Sequence, residues 1–195
     1  MNNKSTYQIA IFASGTGSNA RKIIDYFSHN PTVQVSMVVC NKPGAGVLAI
    51  AAEYDIPSLI INKAQFLNGN AYVDELRQAG IDLIVLAGFL WKIPAALIAA
   101  YPERIINIHP ALLPKYGGKG MYGQYVHEAV IGAKEKESGI TIHLVDEEYD
   151  HGKHLFQSSC PVLPDDTAES LAQKIHALEH THFAKVIEQY IDSLR

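Results

Sequence analysis

The stretch "RIINIHPALLP", residues 104–114, sets Asn107 and His109 two residues apart at the end of an apolar run. Side chains alternate across an extended strand, so both point to one side, about 6.7 Å apart along the backbone. Pro110 has no N–H to continue a ladder and biases His109 toward extended geometry. A carboxamide beside an imidazole suits a carbonyl oxygen that gains negative charge. The amide N–H stabilises that charge, and the ring donates or moves a proton. No Ser or Cys nucleophile stands beside the pair, which favours direct attack by a substrate atom. The alternative is an Asn and a His satisfied by loop backbone.

A second candidate is "SGTGSNA", residues 14–20, where an apolar run turns into a helical pattern. Gly15, Gly17 and Ala20 fit the loose dinucleotide fingerprint. A dinucleotide fold places an acidic residue at the end of its second strand, however, and here that strand ends in Cys40-Asn41-Lys42. A cradle for a single phosphate fits better, made of the glycines, the Ser18 and Asn19 side chains and the free N–H groups of a helix start. A tight turn without a ligand is the other reading.

The elements that must position these residues follow from periodicity. "YQIAIF", "VQVSMVV", "PSLII", "IDLIVLAG" and "RIINIH" read as strands, with helical stretches between them near residues 18–28, 45–54, 70–80 and 93–101. Beyond residue 122 come a helix to about 134, two strands in "GITIHLVDEEYD" and "HLFQSSCPVL" around a turn at Asp150-His151-Gly152, and a last helix from the capping cluster at 165–167 to about 190. Strands buried on both faces and joined by helices predict a three-layer α/β fold: a mainly parallel, twisted, Rossmann-like sheet of about seven strands with helices on both faces. Ligands of such sheets settle beyond the carboxyl ends of the strands, so "ASGTGSN", "AGFLWKIP" and "NIHPALLP" are expected along one rim.

The chain has 195 residues, which fits one domain over 1–195. Hydrophobic residues make up 48% and charged residues 18%, a globular balance that excludes wholesale disorder. A formal net charge of -4 offers no general attraction to nucleic acid. The apolar run at the start is too short for a signal peptide, and no stretch approaches the ~18 apolar residues of a membrane span. Cys40 and Cys160 are too few for a disulfide framework and suit a reducing cytoplasm.

"NIHPALLPKY", with "SGTGSN" near the start, "DLIVLAGF" before it and "EEYDHG" after it, resembles the folate-dependent formyltransferases, in order and over nearly the whole chain. The Gly-Ser-Asn loop and the short length point to the glycinamide ribonucleotide formyltransferases among them. The resemblance implies the formyltransferase fold, and attack by the amine of glycinamide ribonucleotide on the formyl carbon of 10-formyltetrahydrofolate through a tetrahedral intermediate, in purine synthesis. It makes Asn107 and His109 the residues that stabilise the oxyanion. Asp150 becomes the carboxylate that pairs with the histidine and works with a bound water in proton transfer. It assigns Gly15, Thr16, Gly17, Ser18 and Asn19 to the ribonucleotide phosphate and Glu179 to the sugar. Leu90, Trp91, Lys92 and Ile93, with Asn107 and the segment from Val145 to Asp150, are assigned to the folate. It implies no metal, no nucleic acid and no membrane, a monomer or homodimer, and a cytoplasmic location.

The sequence departs from the commoner family pattern at three points. The loop "KYGGKGMYGQYVHEAV" is longer than the Pro-Gly form with two histidines, "QFLNGNAYVDEL" lacks an arginine near Gly69, and Trp91-Lys92 carries unusual side chains. His176-Ala177-Leu178-Glu179-His180 spells an inverted zinc-protease pattern, but no third ligand is apparent. His151 and His154 sit at a turn and are expected to face solvent. Three alternatives to formyl transfer onto the ribonucleotide stand beside it. A formate-releasing hydrolase and transfer to methionyl-tRNA both call for further domains, and a noncatalytic nucleotide-binding module would keep only the phosphate loop.

Overall fold

The computed structural model describes residues 6–68 and 70–195, so Gly69, where the family's arginine was sought, lies outside the described residues. Five strands run parallel: β1 (Tyr7–Ala13), β2 (Val33–Cys40), β3 (Ser58–Ile60), β4 (Leu83–Leu86) and β5 (Ile105–His109). Two more, β6 (Glu137–Leu144) and β7 (His154–Pro161), join the β5 edge antiparallel. The order across the sheet is β3-β2-β1-β4-β5-β6-β7. The helices are α1 (Ser18–Phe27), α2 (Gly46–Glu53), α3 (Lys63–Leu67), α4 (Val73–Gln78), α5 (Ala95–Ala100), α6 (Gln124–Gly132) and α7 (Ala168–Ser193).

The unbroken Ile and Val runs are explained by what lies on either side of the sheet. Ile9, Ile11 and Ala13 of β1 pack with Ile23 and Phe27 of α1 and Ile187 of α7. Ala10 and Phe12 face the other way, with Leu76 of α4 and Leu97 of α5. A strand covered on both faces has no solvent side on which to place polar residues. The expected three-layer α/β sheet is therefore the one observed. Helix α3 is an addition that periodicity did not reveal, since five residues span too little of a helical repeat. It is started by Asn62, whose side-chain oxygen accepts from the N–H groups of Ala64 and Gln65. Among the described residues no helix is long and apolar enough to cross a membrane.

One part of the sheet breaks the apolar rule. Asn107 and His109 of β5 lie opposite His143 and Thr141 of β6 in the antiparallel register, while Ile106, Ile108, Ile140 and Ile142 fill the other face. Direct cross-strand partners share a face and stand close enough to interact. Thr141 is buried and fully used: its Oγ1 donates to the Ala111 carbonyl and accepts from the N–H of Leu113. These bonds pin the chain that leaves β5.

The strand order reverses between β1 and β4, the crevice where open α/β sheets bind ligands. The loops after these strands are tied together there. The Ser14 N–H donates to the Gly88 carbonyl at 3.1 Å, and the Leu90 N–H donates to Ser14 Oγ at 3.0 Å. On the far side α7 opens with a capping box, Thr167 and Ser170 exchanging side chain-to-backbone bonds, and packs along α1.

The β6–β7 connection carries Asp150, which sits in the left-handed region at φ 54°. Two residues on, a Cβ at Gly152 would lie 1.9 Å from the Leu144 carbonyl oxygen, so only glycine fits that crossing. Gly152→Ala is expected to displace the connection and lower stability by about 1–3 kcal/mol. Urea unfolding checks it: the midpoint falls while the slope stays unchanged.

Candidate active site

A cavity of about 310 Å³ opens at the carboxyl ends of β1, β4 and β5. Its wall includes most of the residues that the family resemblance assigns to catalysis and substrates, Glu147 excepted. These are the glycine loop 15–19, residues 90–93, Asn107, His109, Val145, Asp150 and Glu179. Gly15 and Glu179, 164 positions apart in the chain, thus share one space.

At the centre lies Asp150, its side chain 12% exposed. Its Oδ1 is 3.5 Å from His109 Nδ1 and 3.7 Å from His143 Nε2, and its Oδ2 accepts from the Gly118 N–H at 2.9 Å. Burial alone would push this carboxyl up. The His109 imidazole and the Gly118 N–H outweigh it and hold the group well below the usual carboxylate range. His109 Nε2 donates to the Tyr116 carbonyl at 2.7 Å. With an acceptor at each ring nitrogen, the doubly protonated ring is matched at both ends.

His143 lines the same cavity, though no motif in the sequence pointed to it. Its Nδ1–H donates to the Leu144 carbonyl at 2.8 Å, so Nε2 is left to accept, and Asn107 Nδ2 donates to it at 3.1 Å. One of the two amide hydrogens of Asn107 is spent in this way, which orients the amide and leaves the other for a ligand. The signal was available: Thr141 and His143 interrupt "GITIHLV" at alternate positions, as Asn107 and His109 do in β5.

The glycine-loop end is built of backbone. Gly17 starts α1 in the left-handed region at φ 84°, and no side chain caps the helix, so its first N–H groups remain open toward the cavity. A Cβ on Gly17 would lie 2.8 Å from the Val47 Cα. The nearby Arg21 is turned away into a bidentate pair with Glu53 at 2.8 and 2.6 Å. Asn19 Nδ2 donates to Glu179 Oε2 at 2.9 Å, joining the expected phosphate and sugar residues directly. Burial raises the Glu179 carboxyl above its ordinary value, partly opposed by the Asn19 bond.

At the other end, Leu90 is exposed and Trp91 packs with Phe66 and Phe89. The Lys92 ammonium lies over the Tyr149 ring, 5.4 Å from its centroid. The longer loop, distinctive in the sequence, adds Gly118, Gly120, Met121, Tyr122 and Gly123 to the wall. His151 is exposed and pairs with Asp146 at 2.8 Å, and the His176 and His180 rings meet edge-on with centroids 6.3 Å apart. Among the described residues no group of three or more His, Cys, Asp or Glu is arranged to hold a metal ion.

An open α/β sheet with an uncapped helix start at its switch point, and an amide, imidazole and carboxylate set across the same cavity, is an arrangement that could support group transfer at a carbonyl. The sequence carries this further, since residues 7–187 match the formyl transferase family, and the chain belongs to it. A phosphoribosylglycinamide formyltransferase of Arabidopsis thaliana chloroplasts is 44% identical over 186 residues, covering 92% of this chain and 64% of its own length. The protein of that name from Bacillus subtilis (strain 168) is 36% identical over 189 residues, covering 94% of each chain. The crystal structure of phosphoribosylglycinamide formyltransferase from Bacillus halodurans superposes with a TM-score of 0.87 at 34% identity, over 96% of this chain and 97% of that one. The chain therefore spans less than two thirds of the plant relative and nearly all of the bacterial ones.

The depressed Asp150 carboxyl makes a signed prediction. A group whose folded value lies below its unfolded value adds stability above the unfolded value, about 3.9, and loses it as pH falls through the folded one. Asp150→Asn is expected to cost about 2 kcal/mol at pH 7, the scale of a charged hydrogen bond. The gap to the parent closes as pH drops below about 4, read by denaturant unfolding at a series of pH values.

Proposed function

We propose that this protein transfers the formyl group of 10-formyltetrahydrofolate to the amine of glycinamide ribonucleotide, a step of purine synthesis. The observation that carries the reading is the meeting of Asn107, His109 and Asp150 with the open N-terminus of α1 in one cavity. An anionic ribonucleotide anchored at residues 15–19 would extend past Glu179 toward Asn107. The folate would enter from residues 90–93 and Val145, where backbone and apolar side chains form the wall.

The amine nitrogen attacks the formyl carbon, and the formyl oxygen takes up negative charge. The second amide N–H of Asn107, the one not given to His143, is the nearest preset donor for it. The His109 imidazolium adds positive charge, and Asp150 holds that charge in place. The intermediate collapses by breaking the bond between the formyl carbon and the folate nitrogen; the attacking nitrogen gives up a proton and the leaving nitrogen gains one. A carboxyl held as low as Asp150 is a weak base, so its contribution is a fixed negative charge more than a proton store. No side-chain nucleophile is needed. The two free thiols, Cys40 and Cys160, suit a reducing cytoplasm.

The test is a paired assay of tetrahydrofolate release with and without glycinamide ribonucleotide. Release only with the ribonucleotide is expected; formate release at the full rate without it would mark a hydrolase and overturn the reading. Asn107→Ala is expected to lower kcat by about 100-fold or more, the effect of removing one oxyanion donor.

A further inference from the structure

The cavity wall contains one buried polar side chain to which neither the motifs nor the mechanism gives a part. His127 stands on α6 behind the glycine-rich loop, is 3% exposed, and lines the cavity. Its Nδ1 is buried and has no hydrogen-bond partner among the described residues. Buried ring nitrogens are ordinarily paired, and the helix needs no polar group there. Its neighbours Val126 and Val130 are buried in the apolar core, where leucine would pack as well without an unmet nitrogen.

The surroundings bear on what would meet that nitrogen. His176 of α7 and His109 of β5 are its ionisable neighbours; both also act on Glu179, which leads on to Asn19 of α1. Asn19 Oδ1 is likewise buried without a partner. Two residues of the cavity wall, Asn19 and His127, therefore each carry a buried polar atom that the protein leaves unmet. Burial pushes His127 down to about 4, helped by repulsion from His176 and His109, so the ring is neutral around pH 7 and keeps a lone pair. A neutral acceptor in that position suits an uncharged donor and does nothing for a phosphate.

We propose that His127 positions the acceptor substrate, its imidazole accepting a hydrogen bond from an uncharged donor of the ribonucleotide, a sugar hydroxyl or the glycinamide N–H. The inference rests on the function proposed above and adds a contact to it. It makes α6, and with it the longer loop that leads into α6, part of the specificity for the acceptor.

The experiment compares the parent protein with His127→Phe, which keeps a flat ring without nitrogen, and His127→Asn, which keeps an acceptor. The phenylalanine variant is expected to raise the KM for glycinamide ribonucleotide about threefold to tenfold, the worth of one neutral hydrogen bond. The KM for 10-formyltetrahydrofolate stays as it was, and the asparagine variant recovers part of the loss. A ribonucleotide analogue without the ribose hydroxyls erases the difference between parent and phenylalanine variant if the donor is a hydroxyl, and preserves it if the donor is the glycinamide N–H. A ribonucleotide KM within twofold of the parent in the folded phenylalanine variant, or equal losses for both substrates, overturns the proposal. Should that variant fail to fold, the ring nitrogens of His127 in the parent are followed by two-bond nitrogen–proton NMR. They are expected to shift on saturation with glycinamide ribonucleotide, and unchanged shifts overturn the proposal. If the parent does not bind the ribonucleotide at all, the functional reading falls with it; if it binds and His127 is indifferent, only this inference falls.

Discussion

Keeping one carboxylate ionised inside the protein is the constraint around which the site is organised. Asp150 is nearly removed from solvent, and an isolated charge there would be neutralised by taking up a proton. The His109 imidazole of β5 and the Gly118 N–H of the loop before α6 prevent this, while His143 of β6 closes the third side of the site. The carboxylate thus links three segments distant in sequence. Its own backbone conformation, left-handed at φ 54°, depends in turn on the close crossing at Gly152.

From this centre the order of the site spreads through hydrogen bonds with few alternatives. His143 gives its Nδ1–H to a main-chain carbonyl, which fixes the ring's tautomer and makes Nε2 an acceptor. That acceptor fixes the amide of Asn107. The other end of His109 is held by the Tyr116 carbonyl. Asn107 and His109 are therefore oriented without any ligand, and under the proposed function that is the arrangement that makes electrostatic stabilisation effective. The antiparallel addition of β6 to an otherwise parallel sheet makes this possible, because it sets His143 directly across from Asn107.

The two ends of the cavity use different physics. The α1 end is built of an uncapped helix start and of glycine at a position where a side chain would strike Val47, so what it offers a ligand is backbone. The opposite end is apolar and aromatic, with one ammonium resting on a tyrosine face. Where the ends meet, Glu179, Asn19 and His127 form a polar wall that is only partly satisfied from within the protein.

Much of this was legible in the order of residues, because strand alternation and helix period are local properties. The Asn-x-His pair facing one side, the glycine cradle opening a helix, the seven strands and the common rim of three loops all follow from short stretches read separately. Asp150 was legible only through family resemblance, since Asp-His-Gly on its own reads as a turn. The partners that complete the site were not legible. His143 acquires its place from the register of β5 against β6. Tyr116 and Gly118 act through a carbonyl and an N–H that every residue type possesses. His127 became visible only when its burial and unmet nitrogen could be seen. Sequence by itself determined which groups capable of chemistry are present and which way each faces along its own element. Tertiary structure alone decided which of them share a solvent-poor space, because strand register and backbone hydrogen bonds between distant segments leave no mark on residue type.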